Sequence, residues 1–169
     1  MKECSASANV RGNRSHVTRH MTKISEFLTA DHRHGDQLFA AATHATGLGD
    51  WAGCRERFDA FHQALRHHMT IEEQVLFPAF EQATGISEGP TRVMRHEHQE
   101  MLELLDTVSV AVTARDAAGF RGSAQSFTAL MSQHSAKEER VLYPMCDQVL
   151  PELDGEELAE MMRHLMRHQ

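Results

Sequence analysis

Little in this sequence punctuates a sheet. Its 169 residues include 10 glycines and 4 prolines, and aromatic residues make up 6%, whereas an all-β domain needs a turn about every ten residues. Cysteine is scarce and scattered. Cys4, Cys54 and Cys146 form no Cys-x-x-Cys pair, which speaks against a structural disulfide or a thiolate zinc site and for a reducing cytoplasm. They read as small buried or half-buried residues. No apolar run reaches the roughly 18–20 residues of a membrane span, and the polar N-terminus has no signal-peptide core. Positive charge is in deficit too: the formal net charge is −7, which disfavours nucleic acid or an anionic membrane as a partner. What the chain has in excess is 13 histidines and 10 methionines. Metal chemistry is therefore the first function to test.

Residues 1–17 are polar, lack hydrophobic periodicity and read as a loosely attached or disordered arm. From about Thr18 to residue 169 the pattern is that of one helical domain. Leu28, Leu38 and Phe39 mark a first helix that stops at Gly47-Leu48-Gly49. Asp50 is the expected N-cap of a second helix carrying Phe58, Phe61, Leu65, Val75 and Leu76. Pro78 should kink or end it, because its ring removes the bond back to residue 74. Ser87 is the expected cap of a third helix with Pro90 in its first turn and Met94, Met101, Leu104, Leu105 and Val108 on its apolar stripe. Asp116 caps a fourth, through Phe127, Leu130, Val141 and Leu142 to Pro144. Asp154 caps a short fifth, with Leu158, Met161, Met162 and Leu165. No strand pattern is present. The expected fold is all-α: an antiparallel four-helix bundle with a short C-terminal helix.

An internal repeat decides the reading. His68-Met-Thr-Ile-Glu72-Glu73-Gln-Val-Leu-Phe-Pro78 aligns without a gap on His134-Ser-Ala-Lys-Glu138-Glu139-Arg-Val-Leu-Tyr-Pro144, 66 residues later. The same offset pairs His32 with His98, Asp50 with Asp116, and Phe61 with Phe127. One helical hairpin is thus used twice. Of the histidines inside the hairpins, only His32/His98 and His68/His134 survive the shift. Each His-x-x-x-Glu puts imidazole and carboxylate on one helical face, one turn apart. Four imidazoles and two carboxylates suit two divalent transition ions, each glutamate bridging both. Iron or manganese would retain room for a hydroxo bridge and an outside ligand, whereas zinc is satisfied at four donors. Without a metal, a bundle could not cheaply bury six such groups.

Residues three, four or seven positions from these ligands share their face. They are Phe61, Leu65, Val75, Phe127, Met131 and Val141 beside His68 and His134, and Leu28, Phe39, Met94, Met101 and Leu105 beside His32 and His98. So apolar a wall should admit small neutral molecules such as dioxygen or nitric oxide and exclude large polar substrates. Glu73 and Glu139 point about 100° off the ligand face and read as solvated or salt-bridged. Asp36, four after His32, is a candidate to support a ligand. His34, His67 and His96 read as surface residues, and the His164/His168 pair as a solvated face.

At these residues the chain resembles the hemerythrin-like, HHE cation-binding domain family. The segments that carry the likeness are Asp31-His32, His68 to Pro78, Glu97-His98 and His134 to Pro144, within about residues 22–150. The resemblance implies a four-helix bundle holding a non-haem di-iron centre, oxo- or hydroxo-bridged, on His32, His68, Glu72, His98, His134 and Glu138, with zinc or manganese as substitutes. Oxygen-carrying hemerythrins have a fifth histidine one turn from that on the third helix, where this chain has Met94 and Leu102. The symmetric set is similar instead to the di-iron domain of iron–sulfur-cluster repair proteins, whose N-terminal cysteine-bearing domain these residues do not include. The leading expectation is a cytoplasmic di-iron protein that binds or reacts with dioxygen, nitric oxide or peroxide in sensing, storage or stress defence. Alternatives are an oxidoreductase or iron-donating repair protein using the same centre, and a bundle that metal merely stabilises.

Overall fold

The computed structural model describes residues 22–167, apart from the side chains of Met162, Leu165 and Met166. The expected arm over 1–17, Cys4 and His168 lie outside the described residues. Among those described there is no strand, and no helix is long and apolar enough to cross a membrane. The chain forms α1 (Ile24–Gly47), α2 (Trp51–Ile71), α3 (Phe77–Thr84), α4 (Pro90–Ala114), α5 (Ala117–Lys137), α6 (Tyr143–Val149) and α7 (Gly155–Arg167). α1 packs on α2 and α4 on α5, so the two repeated hairpins are the two halves of the bundle.

Local chemistry explains most boundaries. The Asp50 carboxylate accepts the Gly53 N–H at 2.9 Å, and Asp116 accepts those of Ala118 and Gly119 at 3.0 Å, satisfying donors that a helix start leaves unpaired. Both caps press on the third helical residue. A Cβ at Gly53 or Gly119 would clash with the second oxygen, Oδ2, of the capping Asp50 or Asp116 carboxylate. Asp154 caps α7 through the Glu157 N–H at 2.8 Å. The helical pattern expected from about Thr18 begins on residues outside those described; α1 itself begins at Ile24, where Lys23 is extended and Asp147 of α6 binds the Ser25 N–H at 3.2 Å and its hydroxyl at 2.6 Å. One expected start is corrected. α4 starts after Gly89, not Ser87. Pro90 at the first position fixes φ and brings no N–H that needs a cap.

The prolines neither end nor simply kink their helices. A π turn over Glu72–Leu76 joins α2 to α3, and another over Glu138–Leu142 joins α5 to α6. Each closes with the Phe77 or Tyr143 N–H bonding back to the Glu72 or Glu138 carbonyl. The helix therefore widens by one residue just before Pro78 and Pro144, where a ring would otherwise crowd the preceding turn. α3 then runs on to Gly85, whose φ of 72° ends it in the left-handed conformation that glycine adopts without strain.

The core is split in two. Phe39, Phe58, Phe61, Leu65, Met101, Leu105, Phe120 and Phe127 belong to one buried cluster. Ile24, Leu28, Ile71, Leu76, Phe77, Phe80, Met94, Leu142, Tyr143 and Leu158 belong to the other. On every long helix a histidine falls between residues of the two clusters: His32 between Leu28 and Phe39, His68 between Leu65 and Ile71, His98 between Met94 and Met101, and His134 between Phe127 and Leu142. Burying a phenylalanine contributes about 1.5–3 kcal/mol, so two apolar clusters together hold a polar layer that neither would tolerate alone. Of the expected lining residues, Val141 is the exception, 52% exposed, whereas its repeat partner Val75 is half-buried against the second cluster.

Candidate metal centre

All six residues singled out by the repeat meet in that layer. Glu72, His98, His134 and Glu138 form one group whose donor atoms lie within 4.8 Å of one another, and His32, His68 and Glu138 form a second. Glu72 and Glu138 are fully buried, and His98 and His134 are 1% and 2% exposed. The four Nε2 atoms point inward. His98 Nε2 stands 3.3 Å from Glu72 Oε2, and His68 Nε2 3.5 Å from the same oxygen. Glu138 turns one oxygen to each half: Oε1 lies 3.2 Å from His134 Nε2 and Oε2 3.2 Å from His32 Nε2.

The outward Nδ1 atoms face carboxylates. His32 donates to Glu139 at 2.9 Å, His98 to Glu73 at 2.7 Å, and His134 to Glu97 at 3.0 Å. Lys137 bonds the far oxygen of Glu97. Asp31 stands 3.8 Å from His68 Nδ1, which has no hydrogen-bond partner. The sequence reading of Glu73 and Glu139 as solvated or salt-bridged holds in that both are paired, but their partners are site imidazoles. The helical angle of both glutamates is off the ligand face, but each reaches across to the imidazole of a neighbouring helix. The set obeys the same offset, Asp31 with Glu97 and Glu73 with Glu139, a signal already present in the sequence. With the proton held at Nδ1, the imidazoles of His32, His98 and His134 present a lone pair at Nε2, the form a metal requires. Asp36, by contrast, is exposed, and the ring nitrogen it was expected to support is taken by Glu139.

Tyr143 was read only as part of a repeated segment. Its phenol donates to Glu72 Oε1 at 2.7 Å and lies 3.1 Å from Glu138 Oε2, 3.2 Å from His32 Nε2 and 3.3 Å from His68 Nε2. In the other half the equivalent residue is Phe77, stacked on His98 at 5.9 Å. The two halves therefore differ by one oxygen.

Charge in this layer is unbalanced in one direction. Burial disfavours a proton on His32, yet Glu138, Glu139 and Glu72 outweigh it and raise its pKa to about 9; Glu72 and Glu73 do the same for His98. Burial would raise Glu138 as well, but His134 and His32 hold it well below the usual carboxylate range. Burial and the two glutamates push the Tyr143 phenol well above 10. Buried carboxylate oxygens Glu72 Oε2 and Glu138 Oε1 have no hydrogen-bond partner, a costly state for an anion. His98 and His134 bring their Nε2 atoms within 3.1 Å of each other. Orphaned carboxylate oxygens among converging imidazole nitrogens call for positive charge between them, and a metal cation fits that demand.

Beside the layer lies a cavity of about 30 Å³, lined by His32, His68 and His134 and by Gly35, Phe61, Leu65, Met101 and Met131. A water needs at least about 10–15 Å³ of such space, so one small molecule fits. Other histidines stay apart: His34 and His96 are exposed, His96 paired with Glu100 at 3.5 Å, and His67 is half-buried off the ligand face. His164 lies on the exposed side of α7. Cys54 and Cys146 are free and buried in different clusters.

The family model described as the hemerythrin HHE cation binding domain matches residues 23–146. Among curated proteins, the chain is 38% identical over 85 residues to the iron–sulfur cluster repair protein YtfE of Edwardsiella ictaluri, a match covering 45% of this chain and 38% of that protein. It is 42% identical over 57 residues to the proteins of the same name from Salmonella paratyphi B and Salmonella newport, covering 33% of this chain and 26% of each. The chain thus spans well under half the length of these relatives. No solved structure gives a significant match.

Proposed function

Because the chain belongs to the hemerythrin HHE cation-binding domain family, we propose that it is a non-haem di-iron protein that binds or reacts with dioxygen, nitric oxide or peroxide. One observation carries the reading. Two histidine pairs face the same two carboxylates, and Glu138 turns one oxygen toward each pair, which is the geometry of a carboxylate bridge between two ions. His32 and His68 would hold one ion and His98 and His134 the other, with Glu72 and Glu138 shared. Bound there, a pair of irons supplies redox chemistry and a Lewis-acidic place for a diatomic ligand.

The chain's own residues set the terms. Glu139, Glu73 and Glu97 fix the imidazole orientation and tautomer on three helices. Phe61, Leu65, Met101 and Met131 make most of the cavity wall apolar, with Asp31, Asp36 and Ser135 also at its lining, which suits a small uncharged ligand. Tyr143 donates its hydroxyl to Glu72 Oε1, which sets a phenol oxygen among the donor groups of one half.

A second reading, release of iron to damaged clusters, is favoured by the names of the relatives. Anaerobic iron-loaded protein discriminates the two. Spectral change within seconds of adding dioxygen or nitric oxide, with iron retained, supports ligand chemistry. Transfer of iron to an apo iron–sulfur protein without gas supports donation. Failure of both would refute the proposed function.

A further inference from the structure

The six donors leave the Tyr143 hydroxyl unexplained. Adjacent ligands on a six-coordinate ion with bonds near 2.1 Å lie about 3.0 Å apart. Tyr143 Oη stands 2.7, 3.1, 3.2 and 3.3 Å from Glu72 Oε1, Glu138 Oε2, His32 Nε2 and His68 Nε2. A phenol that merely capped one carboxylate would show that spacing once. Here the oxygen shows it to every donor of one half. The backbone fixes the placement, since Tyr143 is the residue whose N–H closes the second π turn, and its side chain is fully buried.

We propose that Tyr143 is a seventh protein donor, ligating as phenolate the ion held by His32 and His68. This rests on the di-iron reading above. As the oxygen–iron bond forms, the phenolic proton passes to solvent and no electron is transferred. Phenolate is a hard oxygen donor suited to ferric iron and serves as such in some haem proteins. Phe77 offers nothing equivalent on the other side, so the centre is built asymmetric. One ion has five protein donors: two imidazoles, two shared carboxylates and the phenolate. The other has four, so the two ions differ in the number of positions left for outside ligands. The symmetric donor count that Met94 and Leu102 imply in the sequence is thereby broken from a different helix.

The chain contains a single tyrosine, which makes the test clean. Full-length protein is loaded with iron, oxidised in air, analysed for metal and examined by visible absorption and resonance Raman. One sample is grown on ring-deuterated tyrosine. Two irons per chain, a visible phenolate-to-iron band and ring modes that shift on deuteration support the proposal. In Tyr143→Phe the band should vanish while two irons per chain remain; the isotope shift decides alone if that variant does not fold. Two irons without deuteration-sensitive modes would overturn the proposal and leave the di-iron reading standing. A wild-type chain that takes up no iron pair would overturn both.

Discussion

Truncating Glu73 removes the acceptor from His98 Nδ1 without touching any of the six donors. Loss of such an outer carboxylate costs roughly 10- to 100-fold in metal affinity, or about 1.4–2.8 kcal/mol at 1.4 kcal/mol per tenfold. Exposure decides where in that range each partner falls. Glu73 is 40% exposed at its side chain, so water can replace it, and Glu73→Ala should weaken binding about tenfold. Glu97 is 10% exposed and pinned by Lys137, so Glu97→Ala should approach about 100-fold. Asp31, at 3.8 Å from His68, is beyond hydrogen-bond range, and Asp31→Asn should change affinity less than about threefold. The assay is competition with a chromophoric chelator under anaerobic conditions, with circular dichroism to verify each fold. Equal affinities for wild type, Glu73→Ala and Glu97→Ala would refute the carboxylate–imidazole reasoning, as would a larger loss in Asp31→Asn.

Other outcomes follow from the same geometry. His68→Ala should lose most bound metal and His67→Ala none, as read by metal analysis; equal loss would contradict the ligand face. Stripping the metal should lower the melting temperature yet keep most helical circular dichroism, since both apolar clusters persist. If free metal is about 1,000 times Kd, the loss of about 4 kcal/mol corresponds to roughly 8–16 °C. Glu81 should confer pH-dependent stability on the metal-free protein. The Arg95 guanidinium, 2.5 Å away, outweighs burial and holds its carboxyl below the ordinary 4.5. Its contribution, about 1 kcal/mol, is present above that unfolded value and disappears as pH falls through the depressed one. Glu81→Gln should therefore lower the melting temperature at neutral pH, with the deficit shrinking as the medium is made more acidic than the ordinary carboxylate range; a deficit that does not change with pH would contradict it.

The repeat makes much of this legible in the sequence. Asp50 and Asp116 announced two helix starts, and the offset separated four histidines from the rest because hairpins used twice must bring equivalent positions together. Less legible was whatever crosses between helices. The Asp147 carboxylate that starts α1 lies 122 residues away, beyond any local pattern. The imidazole partners of Glu73 and Glu139 were not legible because a single-helix projection places both acids off the face, while their length carries them to the neighbouring imidazole. The 66-residue pairing of Asp31 with Glu97 was the available clue, since an acid preceding each histidine recurred. Pro78 and Pro144 signalled a disturbed helix but not its form. A π turn is chosen when packing on both sides, here Glu72 inward and Phe77 into the second cluster, rewards continuing the helix. Tyr143 was hidden for the opposite reason: at a position where the repeat has phenylalanine, it looked like core.

Anomalous diffraction at the iron edge from crystals of the iron-loaded chain tests the central claim most directly. Two anomalous peaks, one bounded by His32 and His68 and the other by His98 and His134, with Glu72 and Glu138 reaching both, are the predicted result. A single peak, or metal held elsewhere than between these helices, would contradict it.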